Sequence, residues 1–349
     1  MKKRRWIDAL FQLSALVLAL GCTTLILLAA DAPPWQAYKN IFLGSVGSFK
    51  KFSDVLVSFV PLLLVTSGLL LTFSAGLWNI GVEGQITLGA IATTWMLRLL
   101  QDSNLAPGLI ITAAMLAGML GGAIWAGLAG ALKTYGGVNE IFGGLGLNFV
   151  ATALTLWLIF GPWKRPGIGS MSGTEPFPDS LWLPMLTGLR LSPWAVGLGV
   201  FFIIVVYFLL RGTYFGLRIK AVGKNIKAAY LLGIPTTRYL MLAFILGGSL
   251  AGLTGAMQVT AVYHRLIPSI SSGYGFLGLL VAMLVNYQAI WVAPIALFFA
   301  ALNIGSIQLP IILKLDSTLS GVLQGVLVLF VLLAEGVRQQ ITRRKGGTL

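Results

Sequence analysis

The stretch "GLWNIGVEGQITLGA", Gly76 to Ala90, lies between two long apolar runs and decides how this chain can fold. It places two amides and a carboxylate, Asn79, Gln85 and Glu83, among several glycines. An ionised carboxylate at the centre of a bilayer costs roughly 2.5 kcal/mol or more, so this one should face a cavity, a partner or the interface. A helix beginning near Gly81 would place Glu83 in its first turn, where the helix dipole stabilises an anion. We therefore predict a broken or re-entrant helix near residues 76–90.

The composition of the whole chain indicates a membrane protein. Of 349 residues, 57% are hydrophobic and 10% are charged, whereas soluble domains carry roughly 25% charged residues. The apolar runs are continuous, which favours membrane-spanning helices over the alternating strands of a barrel. We predict an all-α polytopic membrane protein with one transmembrane domain, residues 1–349, of about ten helices. The predicted spans are 7–30, 55–75, 84–100, 107–132, 141–161, 193–210, 239–262, 273–288, 290–307 and 318–335. A count of nine or eleven stays open, because "VNYQAI" separates two short runs within 273–307.

The N-terminal segment has the positive start of a signal peptide, but its apolar run continues past Cys22. That run is longer than the apolar core of a signal peptide, so we predict an uncleaved first span. Cys22 is the only cysteine, which excludes an internal disulfide and a metal site built from cysteines.

Lysine and arginine residues predict the orientation of the chain. They concentrate at both termini and in residues 211–238, so we predict cytoplasmic termini, a cytoplasmic loop at 211–238 and an outer loop at 162–192. The net charge of +14 reflects this bias, and we do not infer nucleic-acid binding from it. On topology alone, the basic loop is either an orientation determinant or a contact for anionic lipid.

The sequence inside the basic loop indicates a further role. In "NIKAAYLLGI", Asn225 is a plausible N-cap and Gly233 stands at the C-cap position before Pro235. A short amphipathic helix flanked by basic residues is suited to dock into a groove on a partner protein.

Four motifs, in the same order and spacing, resemble one family. "GLRIKAVGKNIKAAYLLGI" followed by "LAFILGGSLAGLTGAM" resembles the cytoplasmic coupling region and next span of permease subunits in ATP-binding-cassette (ABC) importers, in the branch for simple sugars, branched-chain amino acids and nucleosides. "NIGVEGQ", "VNEIFGGLGLNFVA" and "GYGFLGLLVAML" resemble the nucleoside-type permeases of that branch. The resemblance covers roughly residues 55–335. Members usually carry "LMLNY" where this chain has "GLGLNF", and a Gly-Arg or Gly-Asn pair where it has "LVNYQ", which puts the exact substrate in doubt.

The resemblance implies a set of partners and a location. It implies ABC ATPase subunits, a second permease subunit, an extracytoplasmic substrate-binding protein and a bacterial plasma (inner) membrane. We favour a homologous but different chain as the second permease. The family mechanism is alternating access, driven by ATP in the partner ATPase and transmitted through the coupling loop. The residues that match its coupling motif are Arg218, Gly223, Asn225, Ala228, Ala229, Gly233 and Ile234.

This chain is not expected to be an enzyme. It lacks the G-x-x-x-x-G-K-[ST] loop that cradles nucleotide phosphates, so ATP hydrolysis is assigned to a separate subunit and no cofactor is assigned to this chain. The single histidine, His264, leaves no partner for a zinc site or a nucleophile relay, and no metal site is expected.

Amides in the membrane are candidates for contact with a hydroxylated solute, because they form hydrogen bonds without a fixed charge. The pathway candidates are Asn79, Glu83, Gln85, Asn139, Asn148 and Asn286. For each, a structural role in capping or interhelical hydrogen bonding stays open. Glycine and alanine recur every four residues from Gly118 to Gly130 and from Gly247 to Gly255, which predicts close helix packing. An ion-coupled transporter or channel for a small polar solute is the alternative function, and a membrane enzyme would need a catalytic cluster that the sequence does not show.

Overall fold

The computed structural model describes residues 17–18, 20–29, 31–167, 173–285 and 287–314, together with a few positions between 321 and 333. All regular structure in these residues is helical, so the all-α prediction is confirmed. The helices are α1 (Leu20–Ala29), α2 (Pro34–Val46), α3 (Phe49–Ser74), α4 (Val82–Leu100), α5 (Pro107–Thr134), α6 (Glu140–Phe160), α7 (Pro193–Gly212), α8 (Tyr214–Lys224), α9 (Ile226–Leu231), α10 (Thr236–Met257), α11 (Tyr274–Leu284), α12 (Val292–Ser306) and α13 (Gln308–Leu313). A π-helical turn, Gln258–Tyr263, extends α10.

Six segments in the described residues are long and apolar enough to cross a membrane, and the predicted count of ten is not confirmed. They are Phe49–Ser74, Pro107–Thr134, Glu140–Phe160, Pro193–Gly212, Thr236–Tyr263 and Ala289–Leu313, which match six of the predicted spans. The predicted span 84–100 is a helix, α4, but its polar first turn and its threonines place it outside this set. The predicted span 273–288 is realised only as the 11-residue α11, which is too short. Span 7–30 is described only at residues 17–18 and 20–29, where it forms the short helix α1, and span 318–335 lies largely outside the described residues.

The predicted break near 76–90 lies at residues 75–81, between α3 and α4. α3 ends at Ser74, and Gly76 adopts a positive φ of 74° that turns the chain out of the helix. Gly81 precedes the first turn of α4, which contains Glu83 as expected. The break therefore comes before the polar residues Glu83 and Gln85 and leaves both of them on a regular helix.

The described residues form two compact units. One comprises the described residues up to Val55 and from Phe298 onward, where Leu27, Ala37 and Leu309 form a buried apolar cluster. The other, Leu56–Leu297, contains the candidate site residues that the structure describes.

Small residues set the packing of the larger unit. A Cβ atom added at Gly247 would lie 3.0 Å from the carbonyl oxygen of Gly68 on α3. Gly252 of α10 lies against Gly118 and Gly122 of α5, so closely that a methyl group would overlap backbone atoms. The predicted glycine and alanine stripes thus lie where the helix backbones approach one another.

The segment before α7 packs back onto the end of α10. In residues 173–192 the one regular turn is a 3₁₀ helix, Asp179–Leu181. The Leu183 amide donates to the Thr260 carbonyl at 2.9 Å, and the Phe177 amide donates to the His264 carbonyl at 2.9 Å. These backbone bonds tie the predicted outer loop to the π-helical turn.

Candidate functional site

The break at residues 75–81 is closed by a pair of buried amides. Asn79 Nδ2 donates to Gln85 Oε1 at 3.0 Å, and Gln85 Nε2 donates to Asn79 Oδ1 at 2.8 Å. Both side chains are buried, so each amide satisfies the other where water cannot. In this conformation the two amides hold the end of the break against the first turn of α4.

Asn148 of α6 forms hydrogen bonds with the backbone of residues 80–84, at the start of α4. Its Oδ1 accepts from the Gly84 amide at 2.8 Å, and its Nδ2 donates to the Ile80 carbonyl at 2.9 Å. The amide of Gly84 is one of the donors in the first turn of α4 that has no partner inside its own helix. Asn148 therefore caps α4 from a different helix.

Glu83 of α4 caps the first turn of α11, as Asn148 caps the first turn of α4. Its side chain is only 7% exposed, and its Oε1 accepts from the Phe276 amide at 2.9 Å. The Ser271 side chain and the Gly275 amide are further donors toward this carboxylate. An added Cβ at Gly275 would lie 2.9 Å from Glu83 Cδ, so only glycine permits this approach. The carboxylate lies at the N-terminus of α11, where unpaired N–H groups and the helix dipole both favour an anion.

The remaining pathway candidates are placed elsewhere. Asn139 is the N-cap of α6, where its side chain accepts from the Ile141 amide at 2.9 Å. The next residue, Glu140, forms an ion pair with Lys133 at 2.6 Å and also faces the Trp78 amide in the break. Asn286 lies outside the described residues. The structure thus brings Asn79, Glu83, Gln85 and Asn148 together around the break. Asn139 is linked to the break only through the next residue, Glu140.

The sequence reasoning did not single out Gln258, a buried amide in the core. It lies at the start of the π-helical turn and is 1% exposed, and its Nε2 has no hydrogen-bond partner within the described residues. The Thr94 hydroxyl of α4 is likewise buried without a partner there. Buried polar groups in proteins are nearly always paired, and π-helical turns are frequent at functional sites. A glutamine that ends a glycine-rich span was the available sequence signal.

On the coupling side, α9 has the predicted caps. Asn225 Oδ1 accepts from the Ala228 amide at 3.0 Å, and Gly233 has a positive φ of 76° just beyond the helix. The Ile234 amide donates to the Ala229 carbonyl at 3.0 Å, which closes the C-terminal end. Ala229 is buried, whereas Tyr230, Leu231 and Leu232 are 69%, 83% and 80% exposed. The most exposed apolar side chains at this end of α9 are therefore this trio, whereas Ala229 packs against its own chain.

Two other coupling candidates make internal contacts. Arg218 of α8 donates from Nη1 to the Tyr239 hydroxyl at 3.0 Å, which joins α8 to α10. Gly223 lies against the break: an added Cβ would be 2.9 Å from the carbonyl carbon of Ala75 and the amide nitrogen of Gly76. Residues 211–238, called the coupling segment from here on, are thus in direct backbone contact with the break.

His264 follows the π-helical turn and stacks on Trp182 with ring centroids 3.7 Å apart. Burial lowers the pKa of His264, because desolvation disfavours the charged imidazolium. No group of acidic, histidine or cysteine residues that could hold a metal ion occurs in the part of the chain described.

The membrane-length apolar helices define a multi-pass membrane protein. Residues 52–332 match the family model "Branched-chain amino acid transport system / permease component", and the chain belongs to this family. The resemblance stated from the four motifs is confirmed.

Relatives of known name agree with this assignment. The chain is 31% identical over 328 residues to the glucose ABC transporter permease protein of Haloferax volcanii, covering 91% of this chain and 85% of that one. It is 24% identical over 339 residues to the guanosine ABC transporter permease protein NupP of Bacillus subtilis, covering 96% of each. It is 26% identical over 306 residues to the nucleoside ABC transporter permease protein NupB of Lactococcus lactis, covering 85% of this chain and 83% of that one. Each of these organisms has a second permease protein that also matches.

Proposed function

We propose that this chain is the permease subunit of an ATP-driven importer that moves a nucleoside, or a related simple sugar, across the bacterial inner membrane by alternating access. The observation that carries the proposal is α9: a capped helix with three consecutive exposed apolar side chains in a basic segment outside the predicted spans. An exposed apolar patch of this kind marks a protein interface. The family assignment makes an ABC ATPase the fitting occupant.

In this proposal, ATP is hydrolysed by a separate ATPase subunit. ATP closes the ATPase subunits, their motion is received by α9, and α8 passes it to the break through Gly223 and Gly76. The break leads directly into α4, and Glu83 in the first turn of α4 caps α11. A displacement at the coupling segment can therefore reach two core helices by direct contacts. An ion-coupled mechanism is not favoured, because both acidic residues near the break are already engaged: Glu83 accepts from a backbone donor of α11, and Glu140 is paired with Lys133.

The substrate assignment rests on relatives and on chemistry. Relatives act on guanosine, nucleosides or glucose by their names, and all of these solutes present hydroxyls. Amides and hydroxyls suit such solutes because they donate and accept without a fixed charge. We propose Gln258 and Thr94 as solute-contacting groups in a transport state, and the pathway role of Asn79, Glu83, Gln85, Asn139, Asn148 and Asn286 stays a prediction.

The partner set is proposed as a complete importer: two ATPase subunits, a substrate-binding protein outside, and a second permease that is a homologous but different chain. The pairs of permease proteins in three organisms support the different chain. Cytoplasmic N- and C-termini, with residues 211–238 inside and 162–192 outside, complete the proposed arrangement.

The decisive experiment co-expresses the chain with its ATPase and tests Leu231→Asp. A charge in the centre of an apolar contact should weaken binding of the ATPase by about tenfold or more. We expect loss of ATPase co-purification and of uptake of radiolabelled nucleoside, with the permease still folded and inserted. Excess unlabelled nucleoside, glucose or leucine, added to the wild-type importer, identifies the substrate class by competition.

Leu186→Asp is the matched control, because Leu186 is a partly exposed leucine in the segment before α7. It should leave ATPase co-purification unchanged. Normal co-purification and uptake with Leu231→Asp would overturn the coupling assignment. Competition by leucine alone would overturn the nucleoside or sugar assignment and leave the importer assignment standing.

A further inference from the structure

A basic cavity is lined partly by the coupling segment, and the proposed transport mechanism does not use it. Its volume is about 270 Å³, close to the lower limit of small-molecule pockets, about 300 Å³. It lies at the end of α7 and is lined by Tyr207, Leu210, Arg211, Lys220, Tyr287, Gln288, Ala289 and Ile290. The lining contains two cationic side chains and no acidic one.

The two cations are held in place but not neutralised. Arg211 donates from Nη1 to the Tyr207 hydroxyl and lies over the Tyr207 ring, 5.6 Å from its centroid. Lys220 Nζ donates to the Leu210 carbonyl at 2.6 Å, at the end of α7. Within the described residues the one ion pair joins Lys133 and Glu140, so neither cation has a carboxylate partner there. Each retains N–H donors for an anion.

The cavity opens beside a surface suited to lipid. Phe201, Ile204 and Phe208 are exposed on α7 at spacings of three and four residues, and Arg211 continues the same face. On the other side of the cavity, Ile290 is exposed, as is Trp291 of the adjoining 3₁₀ turn. Tryptophan is typical of the membrane–water interface, and arginine at a helix end is typical of headgroup depth. An apolar stripe that ends at a cation matches the acyl chain and phosphate of a phospholipid.

We propose that this cavity binds the headgroup of an anionic phospholipid, with the phosphodiester between Arg211 and Lys220 and an acyl chain along Phe208, Ile204 and Phe201. Charge-assisted hydrogen bonds from the guanidinium and ammonium groups bind the phosphate. Tyr207, Tyr287 and Gln288 supply neutral partners for headgroup hydroxyls. The apolar stripe is the reason to favour lipid over free phosphate, since inorganic phosphate gains nothing from it. The site does not depend on the solute that the importer carries.

The test is native mass spectrometry of the full-length chain with added phosphatidylglycerol or phosphatidylcholine of the same acyl chains. We expect phosphatidylglycerol to bind preferentially. Each basic residue near a membrane surface contributes about fivefold to such binding, so Arg211→Gln with Lys220→Gln should weaken it by about 25-fold. Arg211→Lys with Lys220→Arg keeps both charges and should stay within about threefold of the wild type.

Lys224→Gln with Lys227→Gln is the matched control, since it removes the same charge from exposed positions outside the cavity. Equal weakening by the control pair would show non-specific attraction and overturn the site. Inorganic phosphate at millimolar concentration should not displace the lipid, and full displacement would assign the cavity to a free anion instead. A photoactivatable phosphatidylglycerol on the unmodified chain should cross-link to residues 201–211 or 287–291, and cross-links confined to other helices would also overturn the proposal.

Discussion

Asn148 uses both ends of its amide on the backbone of residues 80–84, and Glu83 uses its carboxylate on the backbone of α11. In both cases a side chain on one helix supplies the hydrogen bond that the first turn of another helix lacks. Where a membrane-embedded chain leaves helical conformation, each unpaired N–H or C=O is costly, because lipid offers no partner. Polar residues around this break are therefore required by the backbone itself, whatever solute the protein carries.

Substitutions of Glu83 test whether its carboxylate is needed by the backbone of α11. Glu83→Gln retains an oxygen for the Phe276 amide and loses the charge–dipole contribution, about 0.3–1 kcal/mol. Glu83→Leu leaves that buried amide without an acceptor, which costs about 1–3 kcal/mol. We expect uptake per folded complex to survive Glu83→Gln to within a few fold, and Glu83→Leu to lower the melting temperature and the yield of complex.

Melting temperature in detergent and uptake normalised to folded protein separate stability from transport. A fully abundant Glu83→Gln complex without uptake would instead place Glu83 in the transport mechanism.

Among the elements, the contact between α8 and the break links the proposed coupling surface to the core. Gly223 and Gly76 meet through backbone atoms, so there is no flexible side chain between them to absorb a displacement. Rigid contacts of this kind transmit motion because packed interfaces rearrange between discrete states. The family resemblance places Gly223 in the coupling motif, but no local pattern in α8 shows that its backbone meets the break.

Gly223→Ala tests the contact. The added methyl group would overlap the Ser74 carbonyl oxygen and lie 2.9 Å from the backbone of Ala75 and Gly76. Such overpacking costs about 1–3 kcal/mol and should push α8 away from the break. We expect ATPase binding to persist while the ratio of solute transported to ATP hydrolysed falls.

Gly212→Ala is the control for this prediction, because nothing lies within 4 Å of a Cβ added there. Its coupling ratio should equal that of the wild type. Equal ratios for both variants and the wild type would remove Gly223 from the coupling route.

At the scale of the whole molecule, the proposed function requires a particular membrane topology, and the distribution of lysine and arginine predicts it. Between the segment before α7 and the coupling segment there is one membrane-length helix, Pro193–Gly212. The two segments should therefore lie on opposite sides of the membrane. Cysteines at Thr187 and Lys224, both exposed, test this in a background where Cys22 is replaced by alanine.

An impermeant thiol reagent on right-side-out vesicles should label Thr187→Cys, and Lys224→Cys should react only in inverted vesicles. Labelling of both positions from one side would mean that Pro193–Gly212 does not cross. Labelling in the reverse sense would overturn the cytoplasmic position of the coupling segment.

The sequence by itself determined the features that depend on local chemistry. Continuous apolar runs specify helices in lipid, because only helices satisfy their own backbone there. Asn225 and Gly233 predicted the caps of α9, since capping involves residues within one turn. Glycine spacing predicted where helices approach closely, and four motifs in order specified the family.

Only the tertiary structure decided which groups those polar residues serve. Glu83 was expected in the first turn of its own helix, where it is, but its hydrogen bond goes to Phe276, 193 residues later in the chain. One of the two backbone partners of Asn148 lies 64 residues before it, at Gly84. No local pattern encodes such pairs, because they depend on which helix ends meet after packing. The exposure of residues 230–232, and the buried Gln258 Nε2 that lacks a partner within the described residues, depend in the same way on what the rest of the fold covers.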